Sequence, residues 1–292
     1  MNKINYIELG ATLFVPATHK GLTAIVLKNK YPELKSLLID TEDGINEDSL
    51  ESGYDAIKEL LRSYERKKFF VFIRPRNLEV LAKILTFENI KSIDGFILPK
   101  FSLENGEEYF KLLQKSNFLV MPSIEGEELF NHESLHKLKD ILLKHKEKII
   151  LLRFGLEDML RQLKMKRSCD ETLFDLSATS YVLGSFISIF KSAGFAVSGG
   201  VYPCFKDEAG FVKDVKRDIK EGLFSKTIIH PNQIKITNDL YRVSKKEFEE
   251  ASEICKQTLA VFRQNDKMAE VVTMQPHAQE IILRAEVYGL LS

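Results

Sequence analysis

Eight short, nearly uninterrupted apolar runs, separated by longer amphipathic stretches, constrain this chain more than anything else in it. The runs are Thr12–Ala17, Ser36–Asp40, Phe69–Ile73, Ile93–Leu98, Phe118–Met121, Ile149–Leu152, Phe195–Ser198 and Lys226–Ile229. Continuous rather than alternating apolarity suits strands covered on both faces, as in a parallel sheet. The segments between them carry the helical period. Leu50, Tyr54, Ile57, Leu60, Leu61 and Tyr64 form one stripe, with Asn46 placed to cap it, and Leu135, Leu138, Ile141 and Leu142 form another. Eight strands alternating with helices predict an α/β fold, a closed (β/α)8 TIM barrel. A doubly wound open sheet is the alternative, disfavoured because no GxGxxG turn follows the first run.

The chain has 292 residues, against roughly 250 for a bare barrel. Residues 1–243 are therefore assigned to the (β/α)8 barrel and 244–292 to a C-terminal helical extension. In that extension Ser244–Gln264 reads as one long helix, followed by QNDKMAEVVTMQPH and a last helix near Ala278–Leu290. The stretch from Gly155 to Gly194 is too long for one helix, so a turn or short extra helix is expected before a helix over Asp175–Lys191.

Composition narrows the partners. Lys and Arg total 42, as do Asp and Glu, so the formal net charge is zero. That balance argues against a basic nucleic-acid stripe and a polyanionic tail. No apolar run approaches the length of a membrane span, and the N-terminus lacks a signal-peptide core. Cys169, Cys204 and Cys255 are odd in number, dispersed and without a CxxC pair. They argue against a disulfide framework or a structural zinc site and for a reducing cytoplasm.

Catalysis in a barrel of this kind sits at the C-terminal ends of the strands. The residues just past each apolar run form a polar set. Asp40, Glu42 and Asp43 follow the second run, Arg74 and Arg76 the third, and Lys100 the fourth. Glu125 follows the fifth, Glu157 and Asp158 the sixth, Tyr202 the seventh and His230 the eighth. Carboxylates facing arginines and a lysine suit a divalent cation beside an anionic substrate, and Mg²⁺ needs only one or two carboxylates, here Glu125 and Asp158. Any single member could instead be a helix cap or a loop charge, since Asp and Glu favour helix N-termini. A competing motif is His132-Glu133-Ser134-Leu135-His136, which matches HExxH, with Glu157 as a third zinc ligand. The lysines that follow, Lys137, Lys139, Lys144, Lys146 and Lys148, mark that segment as a solvated helix.

Several segments resemble the HpcH/HpaI aldolase–citrate lyase β-subunit family. Leu13-Phe14-Val15-Pro16 resembles its first strand, Ile39-Asp40-Thr41-Glu42-Asp43-Gly44-Ile45 its LDLEDAV segment, and Arg74 its third-strand arginine. Asp94-Gly95-Phe96-Ile97-Leu98-Pro99-Lys100 resembles DGIVLPK, Ile124-Glu125 its fifth-strand glutamate, and Gly155-Leu156-Glu157-Asp158-Met159 its GxEDL. Val201-Tyr202-Pro203 through Gly210 resembles the seventh-strand loop, and Ile229-His230-Pro231-Asn232-Gln233 the IHPxQ of the eighth. The resemblance spans nearly the whole chain, in order.

The resemblance implies a Mg²⁺-dependent carbon–carbon lyase or aldolase acting on a small hydroxy or oxo carboxylate or its CoA thioester, in a cytoplasmic trimer or hexamer. Glu125 and Asp158 would hold the metal. Arg74, Glu42 and Asp43 would be catalytic, and Arg74, Arg76, Lys100, Tyr202 and His230 would bind substrate. Two positions depart from the pattern. Gly10 stands where the family commonly has an arginine, and Met274 where CoA-using relatives carry a catalytic Asp that reaches a neighbouring subunit. These departures leave open a barrel that keeps its metal pocket but serves as a scaffold or binding subunit.

Overall fold

A computed structural model describes residues 4–65 and 69–291. The chain divides into two compact units, one reaching Ile234 and the other beginning at Lys235. In the first, β1 (Thr12–Pro16), β2 (Ser36–Asp40), β3 (Phe70–Arg74), β4 (Gly95–Leu98), β5 (Leu119–Ile124), β6 (Arg153–Phe154) and β7 (Thr227–Ile228) form one sheet. Their spatial order is β6-β5-β4-β3-β2-β1-β7, and every pairing is parallel.

The gap between β6 and β7 is filled by residues 196–199. The Leu152 N–H donates to Ala196 O at 2.8 Å and Ser198 N–H to Leu152 O at 2.9 Å. On the other side Phe224 N–H donates to Val197 O at 3.4 Å and Gly199 N–H to Phe224 O at 3.2 Å. Thr12 N–H then meets Lys226 O at 2.8 Å, so the ring of eight strand positions closes as the sequence predicts. The seventh position is made of isolated bridges. Its sequence, Phe195-Ala196-Val197-Ser198-Gly199-Gly200, is short and runs into two glycines, which weaken an extended ladder.

Side chains of alternate residues fill the barrel. At its base the hydroxyls of Thr12, Ser36 and Ser225 bond to one another, at 2.8 Å for Thr12–Ser36 and 3.1 Å for Thr12–Ser225. Above them Leu38, Phe72, Ile97 and Met121 pack with Leu9 and Leu151, and Phe14 lies against this cluster. Around the ring run α1 (Leu22–Leu27), α2 (Leu50–Ser63), α3 (Leu78–Ile84), α4 (Gly106–Leu113), α5 (His132–Leu143), α6 (Leu156–Gln162), α7 (Ser177–Ser192) and α8 (Glu208–Lys220). The expected extra helix after Gly155 is α6. Asn46 does not cap α2 with its side chain; a 3-10 turn over Glu47–Ser49 intervenes and Ser49 takes the cap position.

Behind the eighth strand position lies a buried ionic cluster. Lys226 is fully buried, and its Nζ bonds to Asp214 and, at 2.6 Å, to Asp218. Arg167 Nη1 pairs with Asp214 Oδ1 at 2.9 Å and its Nη2 donates to Val201 O at 2.7 Å. The cluster pins α8, which carries both aspartates, to the strand. Nearby, Cys169 and Cys204 form a disulfide, with Cα atoms 5.7 Å apart, and Cys255 is free. This corrects the expectation of no disulfide. The odd count concealed one bonded pair plus one thiol, and the 35-residue separation gives no sequence signal.

The chain leaves the first unit through α9 (Asn232–Leu240). In the second unit α10 (Lys245–Lys256) begins with a capping box between Ser244 and Glu247, and α11 runs from Val271 to Tyr288. The long helix expected over Ser244–Gln264 is not formed. It ends at Lys256, and β8 (Val261–Gln264) pairs antiparallel with β9 (Lys267–Glu270). Asn265 turns this hairpin with φ of +52°, a conformation Asn tolerates better than other residues with side chains. Among the described residues no helix is long and apolar enough to cross a membrane.

Lys226→Met would strip two buried carboxylates of their shared ammonium. We expect a loss of about 3–5 kcal/mol in urea denaturation.

Candidate active site

The site is built outward from Asp40, the last residue of β2, which lies in register with Arg74, the last of β3. Arg74 Nε donates to Asp40 Oδ1 and Nη2 to Oδ2, both at 2.7 Å, a two-pronged pair that fixes the guanidinium plane. The same carboxylate accepts the N–H groups of Glu42 at 3.0 Å and Gly44 at 2.8 Å. A Cβ on Gly44 would lie 2.4 Å from Asp40 Oδ2, so only glycine lets the loop fold this closely. Arg76 Nη2 adds bonds to the carbonyls of Glu42 at 3.1 Å and Ile45 at 2.6 Å. It lies beyond the end of β3 and holds the loop.

That loop delivers Glu42, which is 1% exposed. Its Oε2 is 2.9 Å from Arg74 Nη1 and its Oε1 is 2.5 Å from Lys100 Nζ. Burial pushes the Glu42 carboxyl above its usual range, with Arg74 and Lys100 pulling the other way. For Lys100, burial opposes the charge, but the Glu42 hydrogen bond and charge outweigh it and raise the ammonium's pKa. Asp43 is exposed and 3.4 Å from the same Nζ.

Lys100 itself is held at φ of +46°, and its N–H donates to Glu125 Oε1 at 2.5 Å. Glu125 lies just past β5, buried. Its Oε2 is 3.3 Å from Ser123 Oγ, and its carbonyl accepts Gln162 Nε2 at 2.7 Å. Gly155 faces it so closely that a Cβ there would sit 2.0 Å from Glu125 Cβ. Burial, then the negative charge of Glu42, push the Glu125 carboxyl up to about 7, and Asp158 pushes in the same direction. Asp158, in the first turn of α6, has its Oδ1 2.8 Å from Arg161 Nη2.

A carboxylate crowded by others is what a divalent cation relieves. Among the described residues no three His, Cys, Asp or Glu side chains gather as a ligand set. A closed zinc site is therefore a poor fit, whereas Mg²⁺ needs, besides water and substrate oxygens, only one or two carboxylates, which Glu125 and Asp158 could supply.

Tyr202 and His230 engage elsewhere. The Tyr202 hydroxyl, fully buried, donates to Asp207 Oδ2 at 2.6 Å, and Asp207 caps Gly210. His230 stacks on Phe205 with ring centroids 4.7 Å apart, and its Nδ1 accepts the Asn232 N–H at 3.3 Å. The HExxH histidines are dispersed: His132 Nε2 is 3.2 Å from Ser185 Oγ, and His136 Nδ1 is 3.1 Å from Lys139 Nζ. His132, Glu133 and His136 are exposed, so α5 is a surface helix, and Glu157 is exposed on α6.

One residue of this set escaped sequence reasoning. Arg153 follows the sixth apolar run directly and pairs in register with Ser123. It is 3% exposed, with Nη1 donating to Thr227 Oγ1 at 2.7 Å. Its alternation with Leu151, a barrel-core residue, was the available signal.

A family model described as C-C_Bond_Lyase of the TIM-Barrel fold matches residues 3–290. The chain belongs to that family. Over 151 residues it is 27% identical to the citrate lyase subunit beta of Escherichia coli strain K12, covering 49% of this chain and 48% of that one. Over 92 residues it is 29% identical to a (3S)-malyl-CoA thioesterase of Cereibacter sphaeroides, covering 32% of this chain and 31% of that one. The chain thus spans about half the length of the first relative and about a third of the second.

Two solved structures share the fold. A citrate lyase from Burkholderia xenovorans LB400 superposes with a TM-score of 0.77 at 16% identity, covering 99% of this chain and 94% of that one. CitE from Mycobacterium tuberculosis, in complex with magnesium, acetoacetate and coenzyme A, gives 0.70 at 16% identity, covering 96% and 99%.

The raised Glu125 has a consequence for metal-free protein. Between its ordinary 4.5 and about 7, the folded chain holds a proton that the unfolded chain has released. Stability should therefore fall as pH rises through that window. In chelator, denaturation midpoints from pH 5 to 8 should decline less steeply for Glu125→Gln than for the native chain.

Proposed function

We infer that the chain is a Mg²⁺-dependent carbon–carbon lyase or aldolase acting on a small hydroxy or oxo carboxylate or its CoA thioester. The observation that carries this reading is Glu125 at the barrel mouth, its carboxyl raised by burial and then by the negative charges of Glu42 and Asp158. Glu125 and Asp158 would hold the metal. Bound there, Mg²⁺ would polarise a substrate carbonyl and steady the charge that develops as the carbon–carbon bond breaks.

The chain's own residues set the stage. Arg74, locked by Asp40, presents a fixed positive charge to a substrate carboxylate or developing oxyanion. Lys100 and Glu42 form a hydrogen-bonded pair beside it, and Asp43, exposed at the rim, extends the acidic edge. Arg76 acts by holding the loop that positions Glu42. Tyr202 and His230, placed on the seventh and eighth strand loops, would bind the outer part of a substrate.

The relatives named citrate lyase and malyl-CoA thioesterase support this class, as does the magnesium, acetoacetate and coenzyme A complex of the Mycobacterium tuberculosis protein. A cytoplasmic homo-oligomer, trimer or hexamer, is proposed with it. Residues 244–292 would be the extension that packs on a neighbouring copy, a role favoured by the exposed apolar Leu259, Val261, Met268 and Val272.

Met274 favours a second reading, a metal-binding scaffold subunit. It packs with Ala251, Ile254 and Ala278 in the core of the second unit, so the position serves packing and supplies no acid.

Glu125→Ala and Asp158→Ala should each abolish Mg²⁺ binding in calorimetry. Incubation with 2-oxo acids and acyl-CoA thioesters, followed by mass spectrometry, should show Mg²⁺-dependent bond cleavage or formation; its absence across the panel would favour the scaffold.

A further inference from the structure

Two cations of the barrel interior are built very differently. Arg74 is matched by Asp40 and Glu42. Arg153 is buried more deeply and, among the described residues, meets no carboxylate: its one bond there goes to the neutral hydroxyl of Thr227. Its Nε and Nη2 are both buried without a hydrogen-bond partner. Burial, and then repulsion from Arg74, pull its pKa down to about 9, which still leaves it charged at neutral pH. A buried guanidinium with neither counter-charge nor full hydrogen bonding is costly, and folding alone gives no reason to keep it.

The free atoms are informative. Nε and Nη2 form the same edge of the guanidinium that Arg74 uses to grip Asp40 with two parallel bonds. In Arg153 that edge is open. The side chain also lies beside the site already described. The guanidinium carbons of Arg74 and Arg153 sit 5.3 and 5.5 Å from the centroid of one ring, that of Phe14. Arg153 is one residue from the C-terminal end of β6, directly before Phe154 and the Gly155 that packs on Glu125.

We propose that Arg153 is a substrate-binding residue whose open Nε–Nη2 edge takes a carboxylate of the substrate inside the barrel mouth, making this a site for a compound with at least two anionic groups. One carboxylate would meet Arg153, leaving the other end of the molecule for Arg74 and the metal-binding carboxylates. This deepens the proposed function and rests on it for the chemistry, but anion binding at Arg153 needs no metal and is tested separately.

The test uses the full-length protein in chelator, with succinate as the dicarboxylate and butyrate as a monocarboxylate of similar length. Binding is measured by calorimetry and by the ligand-induced rise in melting temperature. Succinate should bind more tightly than butyrate. Arg153→Met should weaken succinate binding by about tenfold to a hundredfold, the range expected for losing charge-assisted hydrogen bonds. Arg153→Lys, which keeps a charge but not the planar edge, should recover only part of that loss. Ligand-free Arg153→Met should melt no lower than the native chain, because a lone buried charge has been replaced by an apolar side chain.

Unchanged succinate affinity in Arg153→Met would mean that no substrate carboxylate meets this edge, and would overturn the proposal. A destabilised Arg153→Met together with native affinity in Arg153→Lys would assign the residue a structural role instead. Lack of turnover with intact succinate binding would reject the lyase reading and leave the Arg153 site standing.

Discussion

The mouth of this barrel depends on the carboxylate of Asp40. Four donors converge on its two oxygens: Arg74 Nε and Nη2, and the backbone N–H groups of Glu42 and Gly44. With that much hydrogen bonding, burying the charge becomes tolerable, and the Arg74 plane and the following loop are fixed at once. Glu42 reaches Arg74 and Lys100 only because the loop is folded back on Asp40, and Lys100 in turn donates its N–H to Glu125. A single strand-end aspartate thus organises the ends of β2, β3, β4 and β5.

Charge in the mouth is arranged with two opposite deficits. On the β5 side, carboxylates outnumber their partners, and Glu125 is pushed towards its neutral form. On the β6 side, Arg153 meets no anion among the described residues. The chain does not cancel one against the other, although Arg74, lying between them electrostatically, is fully paired with Asp40 and Glu42. Local conflicts of this kind in an otherwise consistent fold are where ligands act, since a bound cation and a bound anion would each remove one deficit.

Much of the barrel could be read from the sequence because both-face burial leaves continuous apolar runs. β2 falls on its run, and β1, β3 and β4 fall on theirs to within a residue or two, with Asp40, Arg74 and Lys100 following at their ends. The later strands were harder. The sixth to eighth positions are short or reduced to bridges, where glycines and local hydrogen bonds, not hydropathy, decide the path. Pairing invisible to periodicity accounts for the other differences. The Cys169–Cys204 disulfide is a tertiary contact, and β8 of the β8–β9 hairpin lies at the end of the Ser244–Gln264 segment that reads as helix, with the turn at Asn265-Asp266 just beyond it. In the site, residue types were legible but allegiance was not. Nothing in a list of strand-end residues shows that the polar atoms of Arg76 and Tyr202 also hold the Glu42–Ile45 loop and Asp207.

The contrast between Lys226 and Arg153 bears on how the remaining chemistry should be understood. Both are cations buried in the same barrel, on neighbouring parts of its wall. Around Lys226 the chain supplies Asp214 and Asp218, and then Arg167 to balance the second negative charge. That cluster is closed, and its work is to pin a helix. Around Arg153 it supplies a phenyl ring and a hydroxyl. The sequence therefore has the means to neutralise a buried cation where packing requires it, and Arg153 is left open where the ring of strand ends faces the site. Its missing counter-charge is best understood as the substrate's.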